Sequence, residues 1–157
     1  MTGAGGVIAA DTCQRYGLEV AKLSPEILAE VRGLFPSWLD ISNPFDTWPA
    51  FQVSGYPYEE VVERAFKLML ADEAVDGVIL IHGVFGKEGS WDIVPPILRA
   101  ADTFKDKPVL CWLYGTYDGI ATKLEESGKV AVSLSCERAV RTVSRLREYA
   151  EFLERDL

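Results

Sequence analysis

Histidine is almost missing from this chain: His82 is the single one, and the three cysteines, Cys13, Cys111 and Cys136, lie far apart. No Cys/His cluster therefore has the spacing of a metal site, and no metal is expected. An odd, scattered set of thiols argues against a disulfide framework and for a reducing, cytoplasmic setting. Cys111, on an apolar stretch, reads as a buried small hydrophobe. Long apolar runs are lacking too, so no transmembrane helix and no membrane partner are expected. The N-terminus has no basic region followed by an apolar run, which removes the signature of a secretory signal. Positive charge is in deficit: 16 Lys and Arg against 24 Asp and Glu leave a net charge of −8. Binding a phosphate backbone needs clustered cations, so nucleic acid is excluded as a partner. One bound phosphate is not, because a helix N-terminus holds an anion without net positive charge.

What the chain does have is apolar material, 48% of 157 residues, enough to bury one core, and a single domain over 1–157 is expected. Val7, Ile8, Ala9, Ala10, Cys13 and Tyr16 share a helix face, and Gly17 is a natural stop. Residues 18–23 read as a short strand. Ser24-Pro25 then caps a helix that turns Ile27, Leu28, Val31 and Leu34 inward. Residues 36–57 form a long segment without periodicity, a pattern more often functional than idle. A helix is expected over 58–72, and 78–81 reads as a strand covered on both faces. Gly83, Gly86 and Gly89 punctuate a loop, after which Ser90 caps a helix with Pro95 and Pro96 near its first turn. Strand 109–114, helix 117–127, strand 130–133 and helix 137–154 complete the chain, the last with a charged, solvated outer side.

Strand and helix alternate throughout, which implies an α/β fold with an open, mainly parallel sheet flanked by helices. Right-handed crossovers make such a sheet doubly wound and flavodoxin-like. Ligands of these folds collect at the carboxyl ends of the strands, where the loops at 2–6, 43–49, 82–91 and 114–117 should converge.

Thr2-Gly3-Ala4-Gly5-Gly6 carries the most chemical content. Glycines at 3, 5 and 6 let the backbone turn tightly and approach another group. A helix starting directly behind them presents unpaired N–H groups and a positive dipole end to an anion such as phosphate. It is not a dinucleotide fingerprint, because Ile8 stands where the third glycine belongs, and it is not a P-loop, because no Gly-Lys-Ser/Thr follows. The plainer alternative is a glycine-rich turn. His82 invites a role as base or phosphate carrier, yet no motif-spaced carboxylate or nucleophile accompanies it, and a structural role is preferred. Asn43 and Asp46 flank Pro44 in the long loop, where Asx-Pro is turn chemistry first. Trp38 and Trp48 are candidates to wall an interface, against the default of core packing. The residues alone reach a flavodoxin-like domain with a phosphate-sized anion site, and no reaction.

Several segments together resemble one family. Thr2-Gly3-Ala4-Gly5-Gly6-Val7 with Ala9-Ala10-Asp11, then Gly17-Leu18 and Leu23-Ser24, is similar to the start of the third flavodoxin-like domain of ADP-forming acyl-CoA synthetases. Asn43-Pro44-Phe45-Asp46, Trp48-Pro49-Ala50, Leu70-Ala71-Asp72, Val75-Asp76-Gly77-Val78, Lys107-Pro108-Val109 and Glu137-Arg138-Ala139-Val140 continue the likeness over nearly the whole chain. The family includes the ADP-forming acetate–CoA ligases and is related to succinyl-CoA synthetase. The resemblance implies that acyl-CoA, phosphate and ADP give acid, CoA and ATP through an acyl phosphate. A histidine on a different domain carries the phosphoryl group to a nucleotide on an ATP-grasp module. The domain resembled supplies one of two helix N-termini that hold the phosphohistidine.

On that resemblance Gly3, Ala4, Gly5 and Gly6 would offer backbone N–H groups to phosphate, and Asn43 and Asp46 would shape the acyl or phosphate pocket. No catalytic residue is implied here, and His82 is not the phosphoryl carrier. CoA, ATP or ADP and Mg are implied for the whole enzyme and none for this domain alone. The partners implied are the CoA-binding, phosphohistidine and ATP-grasp domains, so the chain alone should be inactive. Two departures stand out: Gly3 replaces an asparagine common in the family, and the strand that usually precedes the glycine loop is missing. In the order 2-1-3-4-5 that strand lies between its neighbours. Residues 1–157 are therefore expected to be stable only with a filler, from another segment or from a second copy in a homo-oligomer, or with a rearranged sheet. From the residues, a free-standing receiver-like or flavin-binding module and a purely structural domain stay open as alternatives.

Overall fold

A computed structural model describes residues 3–84, 91–115 and 119–155. Seven helices and three strands alternate as α1 (Gly3–Arg15), α2 (Pro25–Arg32), α3 (Trp48–Ser54), α4 (Tyr58–Ala71), β1 (Val78–Val84), α5 (Val94–Thr103), β2 (Val109–Gly115), α6 (Ile120–Glu126), β3 (Ala131–Ser133) and α7 (Cys136–Arg155), counted among the described residues. The strands form one parallel sheet in the order β1-β2-β3, with Val78 opposite Val109 and Leu110 opposite Ala131. This is the expected α/β architecture without the usual first strand. β1 thus forms an edge of the sheet among the described residues.

Strand alternation sorts the side chains between two faces. Val78, Val84, Cys111 and Leu113 join Val62, Phe66 and Met69 of α4 and Ile97 and Ala100 of α5 in the main core. On the other face, Ile81 and Trp112 approach α1, while α7 packs on α1, β2 and β3. A smaller cluster of Val31, Phe35, Ile41, Ala50 and Val61 joins α2 and α3 to α4.

Local signals set most element ends. Ser24 accepts the Ile27 N–H at 3.4 Å, with proline at the start of α2. Gly17 takes φ +72°, and the Leu18 N–H reaches the Cys13 carbonyl at 2.9 Å, the paired bonds of a Schellman stop. Asp92 Oδ1 accepts the Val94 N–H at 3.2 Å and opens α5, where prolines occupy positions whose N–H has no helical partner. The expected Ser90 cap, with Gly86 and Gly89, lies outside the described residues, as does the expected start of α6 at Tyr117.

Four sequence expectations are corrected. Residues 18–23 form no strand, because the sheet ends at β1 and offers them no neighbouring ladder. The long irregular segment contains α3, which Pro49 and the left-handed Gly55 delimit. Helix α1 begins at Gly3, so the glycines belong to its first turn rather than to a loop before it. Its buried face is Gly6, Ala9 and Thr12, while Val7 and Ile8 are 62% and 52% exposed. Gly6 is covered by Pro44 of the loop 43–47 and Thr12 lies beside Cys136 of α7, so the small residues of α1 face its neighbours while the two larger side chains stay outside.

Candidate functional site

The N-terminus of α1 meets the loop 43–47 beside β1. The Gly3 N–H donates to Asp46 Oδ2 at 3.1 Å, and the Trp48 N–H donates to Asp46 Oδ1 at 2.9 Å. One carboxylate thus ties the first turn of α1 to the first turn of α3. Asn43 Nδ2 donates to the Ala21 carbonyl at 3.0 Å and anchors the other end of the loop, whose Asn43–Pro44 peptide is cis.

The glycines have distinct surroundings. A Cβ on Gly6 would stand 3.2 Å from Pro44 Cβ and Cγ, and one on Gly5 would stand 3.1 Å from Ile81 Cγ2. Gly6 therefore permits the loop to close on α1, and Gly5 permits α1 to close on the sheet. Gly3 and Ala4 are exposed. Gly3, Gly6, Asn43 and Asp46 together line a cavity of ≈ 130 Å³ that also runs along Val78–Ile81 of β1. Ala4 belongs to the same first turn of α1, and Gly5 faces Ile81 and Trp112. The loop and the glycine turn therefore converge, as anticipated. The loops at 85–90 and 116–118 lie outside the described residues.

The Asp46 charge is felt by two nearby hydroxyls. Burial pushes the Tyr58 and Tyr114 hydroxyls above their ordinary pKa, and the Asp46 charge adds to both shifts. The first turn of α1 supplies the opposite sign through its N–H groups. Such an arrangement can position and polarise an anion. Among the described residues, no group of three or more His, Cys, Asp or Glu side chains could hold a metal ion.

His82 lies on β1, buried, with its ring stacked on Tyr58 at 6.2 Å. Burial pushes its pKa down to about 4, so it is neutral at pH 7. Burial also drives the Cys111 thiol up to about 12, which leaves it inert. Trp48 joins an aromatic group with Phe51, Tyr58 and Trp91, including a Tyr58–Trp91 centroid distance of 4.5 Å, whereas Trp38 is 77% exposed. Sequence reasoning missed Asp72. This buried carboxylate accepts N–H bonds from Ser24 at 2.7 Å and Ala74 at 3.0 Å, fixing the start of α2 to the end of α4. Burial raises its pKa, but these bonds outweigh it and leave the group below its ordinary value.

No protein-family model matches the chain. Among curated proteins, it is 31% identical over 135 residues to the alpha subunit of ADP-forming acetate–CoA ligase II of Pyrococcus furiosus, covering 82% of this chain and 28% of that one. It is 26% identical over 151 residues to ADP-forming acetate–CoA ligase I of Archaeoglobus fulgidus, covering 96% of this chain and 20% of the relative. The chain thus spans under a third of the length of these relatives. A crystal structure of a Pyrococcus horikoshii OT3 protein superposes with a TM-score of 0.78 at 27% identity, covering 95% of this chain and 34% of that one. The dinucleotide forming acetyl-coenzyme A synthetase 1 of Candidatus Korarchaeum cryptofilum shares the fold, with a TM-score of 0.70 at 21% identity over 95% of this chain and 32% of that one. Sequence and fold agree, and the chain is homologous to one domain of the ADP-forming acetate–CoA ligases.

Proposed function

We propose that this domain forms one side of a phosphate clamp in an ADP-forming acyl-CoA ligase. The overall reaction would convert acyl-CoA, phosphate and ADP into acid, CoA and ATP, with the phosphoryl group carried on a histidine of another domain. The observation that supports this reading is the convergence of Gly3, Gly6, Asn43 and Asp46 on one cavity at the α1 N-terminus. First-turn N–H groups of Gly3, Ala4 and Gly5 would face the anion, while Gly6 sets how closely the loop 43–47 approaches. CoA, nucleotide and Mg would be bound by the other domains, in the cytoplasm. The ordinary protein partners would be the CoA-binding, phosphohistidine and ATP-grasp modules.

One observation favours a second, structural reading: Asp46 already places a carboxylate on the Gly3 amide. On that reading the anion at the helix terminus is the protein's own, and the glycines serve packing alone. Titration of the purified chain with inorganic phosphate, followed by NMR of the Gly3–Gly6 amides, separates the two. Saturable shifts confined to this turn support the clamp; unmoved amides at millimolar phosphate support the structural reading. The division of labour is tested by assaying ATP formation from acetyl-CoA, phosphate and ADP. The chain alone should be inactive and its assembly with CoA-binding, phosphohistidine and ATP-grasp domains active; turnover by the chain alone would refute the proposal.

A further inference from the structure

Cys13 and Cys136 are far apart in sequence and neighbours in the fold. Cys13 lies near the end of α1, Cys136 is the first residue of α7, and these two helices pack on each other. Residues on either side of Cys13 set the register of that contact. Cys136 Sγ donates to Thr12 Oγ1 at 3.8 Å, and the Tyr16 hydroxyl donates to Glu137 Oε1 at 2.5 Å. Further along, Ser144 Oγ donates to the Tyr16 carbonyl at 3.0 Å, and the Arg147 side chain donates to the Gly17 carbonyl. Cys13 therefore stands between two residues that touch positions 136 and 137. Both thiols are half-buried, within reach of a small oxidant, whereas Cys111 is fully enclosed.

The two thiols are not equivalent. Burial raises the pKa of both. For Cys136 the Thr12 hydroxyl and the Arg15 charge oppose that rise, while for Cys13 the Cys136 charge adds to it. Cys136 is thus the thiol better placed to ionise and attack first, with Cys13 beside it to resolve the product.

We propose that Cys13 and Cys136 are a peroxide-sensitive thiol pair that closes reversibly into a disulfide and locks α7 onto α1. The Cys136 thiolate attacks one oxygen of the peroxide, the O–O bond breaks, and the leaving hydroxide takes up a proton as water, which leaves a sulfenic acid on Cys136. The Cys13 sulfur then displaces the sulfenic oxygen, which departs with the Cys13 proton as a second water while the S–S bond forms. Two thiols lose two electrons and two protons, and one hydrogen peroxide becomes two waters. Small thiols reverse the bridge by exchange, so the pair needs no oxidising compartment. Cys111, whose thiol burial drives up to about 12, takes no part.

Treating the reduced, purified chain with hydrogen peroxide and then blocking free thiols under denaturing conditions tests the proposal. Mass spectrometry should find a monomer lighter by two hydrogens, with only Cys111 blocked and the Cys13 and Cys136 peptides linked. Dithiothreitol should reverse the change. The oxidised chain should melt several degrees above the reduced one, because the bridge closes most of the sequence into one loop and restricts the unfolded state. In Cys13→Ser the Cys136 sulfenic acid should persist and be trapped by dimedone, with the circular dichroism spectrum unchanged. Three thiols that stay free at peroxide doses that oxidise free cysteine would overturn the proposal. So would a bridge to Cys111, bridges only between chains, or an oxidised chain that melts below the reduced one.

Discussion

The Asp46 carboxylate and the Gly3 amide meet at 3.1 Å, so α1 begins under a negative charge supplied by a loop 43 residues away in sequence. This contact closes the loop over the helix terminus and also sets what a phosphate would feel there. An anion entering the cavity gains the first-turn N–H groups and is repelled by Asp46. At a separation of about 6 Å with partial solvent screening, the repulsion is on the order of 1 kcal/mol. Asp46→Asn keeps an oxygen that can accept the Trp48 N–H and removes the charge. Inorganic phosphate should then bind about fivefold more tightly, read from NMR titration of the α1 amides. Unchanged or weaker binding would place the anion elsewhere.

The two packing glycines should respond differently to alanine. At Gly5 the obstructing atom is the Ile81 γ2 methyl, a side-chain group that need give only a few tenths of an ångström, and alanine also favours the helix by up to about 1 kcal/mol. At Gly6 the obstruction is the Pro44 ring, held by a loop that Asn43 and Asp46 anchor at both ends. Gly5→Ala is expected to leave the melting temperature within a few degrees of wild type. Gly6→Ala should lower it and shift the Gly3 and Trp48 amide resonances, because the loop has to move outward. Equal melting temperatures for both variants would show that the loop yields freely.

A bidentate ion pair joins α4 to α5. Arg99 Nη2 lies 2.5 Å from Glu63 Oε2 and its Nε 3.1 Å from both oxygens, with Lys67 Nζ at 2.7 Å. The Arg99 hydrogen bonds, helped by Lys67, hold the Glu63 carboxyl down at about 2 against an ordinary value of 4.5. A depressed folded-state pKa adds stability above the unfolded value, and that stability is lost as pH falls from about 4.5 towards 2. Since the arginine is largely exposed, solvent screening keeps the contribution of the pair small. Arg99→Ala should lower the melting temperature at pH 7 by about 2–4 °C. The difference from wild type should shrink on acidification to pH 2; a constant offset would mean that packing, not charge, was lost.

Where backbone signals were local, the sequence could be read. Gly17 and Ser24-Pro25 stopped and started helices where expected, because a left-handed glycine or a capping hydroxyl acts within one turn. Helix α3 was equally legible in retrospect. Asp46 accepts the Trp48 N–H, Pro49 follows, and Gly55 ends the helix, all ordinary cap chemistry hidden by its seven-residue length. The apolar alternation of 18–23 misled, because a strand needs a neighbour and pattern alone does not supply one. The buried face of α1 also misled. Val7 and Ile8 carry the greater hydrophobicity, yet the fold buries Gly6 and Ala9, because at Gly6 the missing side chain lets Pro44 of the loop close on α1. The meeting of Gly3 with Asp46 was anticipated as shared membership of a pocket; the hydrogen bond, and the competition it creates with an external anion, required coordinates.

His82 offers a pH readout on the α4 side of β1, where it meets Tyr58, while the neighbouring Ile81 faces α1. The histidine is 5% exposed, its ring centroid 6.2 Å from that of Tyr58, and burial depresses its pKa from 6.5 to about 4. Neutral imidazole is the form the core accepts, so the depressed value makes the folded state lose stability as pH falls below about 6.5, with the loss complete near 4. A shift of that size corresponds to a few kcal/mol. His82→Phe preserves an aromatic ring against Tyr58 and removes the titration. Its urea midpoint should stay nearly level between pH 6.5 and 4, where the wild-type midpoint falls. Below pH 4 both proteins should weaken together as carboxylates such as Asp72, which holds the Ser24 and Ala74 amides, become protonated. If wild type and His82→Phe instead lost stability in parallel from pH 6.5 downward, the acid sensitivity would belong to another group and His82 would not be buried as a neutral base.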